Sequence, residues 1–151
     1  MNVFFRELHD LNRWIILIVG IYVVIRAYQG WFGKKEWTDG DKRPNLIFII
    51  AMDTQLLLGL LLYLFFSDIT KAAFQDFGGA MANTTLRFYA VEHILIMLIA
   101  VIAAHIGYAG IRRYEQSGPR FRNLAIFYTL TFVLLLAGIP WDRALIPFLG
   151  Q

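Results

Sequence analysis

From Leu46 to Phe66 the chain runs through twenty-one residues with a single charge, Asp53. A helix rises about 1.5 Å per residue, so a run of this length matches the roughly 30 Å hydrocarbon layer of a bilayer. Lipid offers a backbone no hydrogen-bond partner, so such a segment crosses only as a helix. Three further segments share its character: one centred on Trp14 to Ile25, one from about Phe88 to Ile111 and one from about Leu124 to Ile139. Charges gather between these runs, whereas a soluble bundle needs them along one face of each helix. With 58% hydrophobic residues among 151, no length remains for a soluble domain. The expectation is an all-α membrane protein, a single domain over 1–151 with four transmembrane helices spanning about 4–28, 46–66, 87–111 and 123–140. Short connections favour an up-down-up-down bundle, with the first and third helices parallel and diagonal across the core.

The first uninterrupted apolar run covers only twelve residues, Trp14 to Ile25, too few to cross. That helix must begin near Phe4 or Phe5, which draws His9 and Arg13 into the membrane or its interfacial layer. No small-residue cleavage motif follows the run, so it reads as a retained span and not as a signal peptide. The stretches from Gly30 to Pro44 and from Arg112 to Arg120 hold turn residues and positive charge, and read as loops. Together with their flanks they carry Arg26, Lys34, Lys35, Lys42, Arg43, Arg112, Arg113, Arg120 and Arg122, against Arg6, Arg13, Lys71, Arg87 and Arg143 at the other end. The bias places these two loops in the cytoplasm, with both termini and the middle connection on the outside. The middle connection, Ser67 to Thr85, is long enough for an interfacial helix around Thr70 to Phe77. Trp31, Phe32, Trp37 and Trp141 fall where an aromatic belt belongs. The net charge of +3 fits topology and anionic lipid better than nucleic acid.

Ionisable residues inside a membrane are costly, and they face the protein interior and pair with something. His9 and His93 stand near the same end of the two parallel helices, at comparable depth. Two imidazoles facing each other across a bundle suit axial ligation of haem b. Arg13, one turn beyond His9, and Glu92, beside His93, are placed to pair with each other near this site, and Arg13 or Arg87 to bind haem propionates. The plainer alternative is that His9 is interfacial and His93 only bonds a neighbouring helix. His105 lies twelve residues from His93, about 18 Å further along the helix, and cannot serve the same iron. Asp53 is its expected partner, with three readings open: a packing pair, a proton relay, or part of a second metal or quinone site. Gln55 suits an interhelical hydrogen bond or a quinone carbonyl. Met52 and Met97 read as core, Met97 packing against whatever fills the outer site. Cysteine is absent, which excludes disulfides, thiolate metal sites and covalently attached haem. No phosphate loop or hydrolase motif is present.

Assembled, the chain resembles a group of small four-span bacterial membrane proteins, common in Bacteroidetes, described as cytochrome B or cytochrome b-like. The stretches that carry the resemblance are HDLNRWIILIV (His9 to Val19), GWFGKKEWT (Gly30 to Thr38), TQLLLGLLLYLF (Thr54 to Phe65), LRFYAVEHILIMLIAVIAAHIGYAGIRR (Leu86 to Arg113) and IPW (Ile139 to Trp141). The resemblance implies an inner-membrane protein that binds haem at His9, His93 and His105. The group's pattern often has a histidine two positions before the helix-two glutamine, where this chain has Asp53. That departure leaves the outer site as the better candidate.

The leading expectation is therefore an electron carrier rather than a stand-alone enzyme, exchanging electrons with quinol as part of a respiratory chain. Its expected partners are the lipid bilayer and either other respiratory-complex subunits or further copies of itself. Two other classes compete: a haem-free accessory subunit whose polar pairs fix helix register, and a small proton or metal transporter using Glu92, His93, Asp53 and His105.

Overall fold

In a computed structural model of the chain, residues 3–141 are described, and Arg143 of the charge count lies outside them. They form seven α-helices: α1 (Val3–Phe32), α2 (Asp39–Leu61), α3 (Asp68–Gln75), α4 (Phe77–Ala82), α5 (Thr84–Arg87), α6 (His93–Arg113) and α7 (Ser117–Gly138). Two π-helical turns extend the long ones, Leu62–Phe66 after α2 and Phe88–Glu92 before α6. Four of the resulting helical segments are long and apolar enough to cross a membrane: Val3–Phe32, Asp39–Phe66, Thr84–Arg113 and Ser117–Gly138. The chain is an all-α, multi-pass four-helix bundle.

Around the bundle α1 packs on α2 and α7, while α6 packs on α7 and α2. The α1 and α6 helices therefore lie diagonally, as short connections require. The closest seam is α6 against α7, where α6 buries Ala100, Ala103, Ala104, Gly107 and Gly110. Without a hydrophobic force between helices in lipid, such small residues let backbones approach and van der Waals contact accumulate. At Gly107 an added Cβ would stand 2.9 Å from the Tyr128 ring, so the approach needs glycine there. Tyr128, Phe48, Phe121, Met52, Leu124 and Thr131 are the largest fully buried side chains.

Helix ends differ most from expectation. The connection expected over Gly30 to Pro44 shrinks to residues 33–38, because α1 continues through stacked Trp31 and Phe32 and α2 starts at Asp39. The Asp41 carboxylate accepts the Thr38 backbone N–H at 2.9 Å and its hydroxyl at 2.8 Å, which satisfies orphan donors at the helix start. Arg26 of α1 reaches the same carboxylate at 2.7 Å and locks the connection. Across this basic end, Ser117 accepts the Trp37 N–H and donates to Glu36.

At the opposite end, where the chain begins, α3 forms where an interfacial helix was expected, two residues earlier at each end. It packs with α4 and α5 on the second π turn, around buried Ala73, Ala80 and Ala90. Tyr63 in the first π turn donates to the Ala90 carbonyl in the second at 2.7 Å, tying the two irregular turns together.

Candidate functional site

The same end of the bundle opens into a cavity of about 390 Å³, lined by His9, His93, Gln55, Gly59, Tyr89 and Met97 among others. That volume is in the range of small-molecule sites. The two imidazoles enter it from the diagonal helices α1 and α6, with ring centres 6.5 Å apart and planes at 59°. Sequence spacing placed these histidines at comparable depth, and the fold brings both to one cavity, with their rings tilted against each other.

His93 is oriented by its backbone neighbour in α7. Its Nδ1 lies 2.8 Å from the Gly138 carbonyl oxygen, an atom that only accepts, so Nδ1 carries the proton. The lone pair is then on Nε2. This is the arrangement by which a second partner fixes the tautomer of a metal-binding histidine and raises its basicity. Gly138 itself is set close to α6, where an added Cβ would meet Met97 and lie 3.0 Å from Ile96.

His9 is held through its backbone. Gln55 donates from Nε2 to the His9 carbonyl at 3.0 Å, and Asn12 donates to Gln55 Oε1 and to the Ala51 carbonyl, each at 2.8 Å. Two polar side chains, Asn12 and Gln55, thus join α1 to α2 beside the cavity through three hydrogen bonds. Four residues further along α2, Gly59 faces His9 Nε2, 3.4 Å from where a Cβ would be. A methyl group at 59 would rest against the imidazole in ordinary van der Waals contact.

Charge at the site is arranged differently from expectation. Arg13, 8% exposed, pairs with Asp10 at 3.3 Å, and Arg6 pairs with Glu7 at 3.1 Å; all four line the cavity. The expected pairing of Arg13 with Glu92 gives way to one of Glu92 with Arg87, at 2.6 Å. The π turn explains this: its i to i+5 repeat stacks Arg87 over Glu92. Arg87 also donates to the Met81 carbonyl, and neither it nor Glu92 reaches the cavity wall. Trp141 turns back to the Leu136 carbonyl at 2.9 Å, and the lining from this part of the chain is Leu135 of α7 with Ile139 and Pro140 just beyond its end. Met52 and Met97 both line the cavity.

The expected second pair also forms, with His105 Nε2 2.8 Å from Asp53 Oδ1. It is elsewhere, on the outside of the bundle. Among the described residues no three His, Asp or Glu side chains converge as a metal site.

Sequence reasoning missed the Gly138 carbonyl, Gly59, Arg6 and Tyr89. Gly59 had a signal: it interrupts a leucine run one turn after Gln55, and so shares that residue's face. No protein-family model, curated protein or solved structure matches the chain.

Proposed function

We propose that the chain is a membrane-bound b-type cytochrome, with haem held between α1 and α6 by His9 and His93. The observation that carries this reading is the facing of two imidazoles 6.5 Å apart across a cavity, with His93 tied through Nδ1 to Gly138. A metal–imidazole bond of about 2 Å on each side, with about 1 Å more from each ring nitrogen to its ring centre, separates coaxial rings by roughly 6 Å. The donor set fits as well. Neutral imidazoles are haem ligands, and no cysteine thiolate is present to replace them.

Bound haem would supply one-electron chemistry, its potential set by ligand type, burial and nearby hydrogen bonds. The chain's own part is positioning. Gly138 fixes the His93 tautomer, and Gln55 anchors the α1 backbone at His9. Leu56, Leu60, Ile94 and Val101 keep the cavity apolar. Arg6 and Arg13 put guanidinium groups at its rim, suited to bidentate bonds with propionates. The proposal places this site toward the periplasmic side of a bacterial cytoplasmic membrane, the basic loops lying in the cytoplasm. There it would exchange electrons with a quinol and a respiratory partner.

Full-length protein purified after expression with haem supply is expected to show a Soret band and a reduced α-band, and His93→Ala to lose both. A colourless parent protein, or an unchanged spectrum in His93→Ala, refutes the reading.

A further inference from the structure

Asp53 stands mid-way along the second span, and His105 about two turns before the end of α6. At about 1.5 Å per residue, Asp53 lies roughly 15 Å from Arg43 and His105 roughly 10 Å from Arg112, the charged residues at the basic end. The pair is therefore within the hydrocarbon layer. Both side chains are nevertheless about half exposed, 47% and 46%, on the outside of the α2/α6 seam. Ile50, Leu57, Ile99 and Ile102 surround them as an exposed apolar ridge.

Acyl chains cannot satisfy what the pair leaves over. One nitrogen and one oxygen are joined at 2.8 Å, and the second nitrogen and second oxygen belong to side chains left about half exposed. A medium of low dielectric favours a pair with no net charge, and wherever the shared proton sits in such a pair, Nδ1 carries a hydrogen. The outer surface thus presents a donor beside an acceptor. Whatever covers it must offer an acceptor beside a donor, in reverse order at the same depth. A second copy meets this condition without further assumption. Copies insert with one orientation, so a two-fold axis along the membrane normal brings equal depths together, and an isologous interface pairs residue i with j and j with i.

We propose that the chain forms a two-fold homodimer in the membrane through the α2/α6 face, the His105 of each copy bonding the Asp53 of the other. Haem is not involved, so this inference and the reading of the outer site stand or fall separately.

The absence of native cysteine makes cross-linking a direct test on the full chain in its membrane. On oxidation, Leu57→Cys and Ile102→Cys are expected to give disulfide-linked dimers, while Ile18→Cys on α1 and Val133→Cys on α7, comparably exposed, stay monomeric. Adding Asp53→Ala to Leu57→Cys lowers the linked fraction. Exchanging the pair, Asp53→His with His105→Asp, keeps the reciprocal bonding and restores it. Equal linking at all four positions, linking to a different protein, a monomeric mass in lipid nanodiscs, or no rescue by the exchange overturns the proposal.

Discussion

His93 and His105 lie twelve residues apart on one apolar helical segment, yet their surroundings assign them different work. His93 donates its Nδ1 proton to a backbone carbonyl and lines a cavity that a second imidazole also enters. His105 turns Nε2 to a carboxylate on the outer face, and neither it nor Asp53 lines that cavity. A backbone carbonyl fixes a tautomer without adding charge, which is what the proposed ligand role of His93 needs. A carboxylate makes a self-contained polar pair, which leaves a surface to be covered. The role of a membrane histidine is thus read from where its other nitrogen goes.

The largest expected effect separates the two directly. His93→Ala removes the haem spectrum entirely, while His105→Ala leaves band positions and haem content at the parent level. Equal losses in both variants would erase the distinction. Next is Gly138→Ala, whose Cβ crowds Met97 and Ile96 and displaces the carbonyl that holds His93. It is expected to cost about 1–2 kcal/mol of bundle stability, read by denaturant titration in detergent micelles, and to lower haem occupancy. Gln55→Leu deletes the bonds to the His9 carbonyl and to Asn12. A loss of about 1 kcal/mol is expected, since interhelical hydrogen bonds in membranes are modest. The smallest effect belongs to the outer-face pair: a double-mutant cycle of Asp53→Ala and His105→Ala in monomeric micelles is expected to give a coupling of about 0.6 kcal/mol. A coupling of several kcal/mol would make the pair a core element of the single bundle.

Much of this was legible before any coordinates. Long apolar runs with the charge gathered mostly between them gave four spans, because lipid restricts a crossing backbone to a helix. The short apolar run in the first span required the helix to start early, and α1 starts at Val3. Depth along parallel helices paired His9 with His93, and depth along antiparallel ones paired Asp53 with His105. What stayed hidden was set by backbone geometry, to which hydropathy is blind. The π turn before His93 redirects Glu92 to Arg87, and an α-helical count cannot anticipate it. The Gly138 carbonyl belongs to every residue type alike and leaves no mark in composition. The Thr38 and Asp41 start of α2 was masked by Gly40 and Pro44, which read as loop.

Electron paramagnetic resonance of the oxidised, haem-loaded protein tests the central claim most directly. Two imidazole ligands predict a low-spin iron signal in the parent that survives His105→Ala and disappears from His9→Ala and from His93→Ala. A high-spin signal in the parent, or a low-spin signal that persists without His9, would contradict ligation across the diagonal.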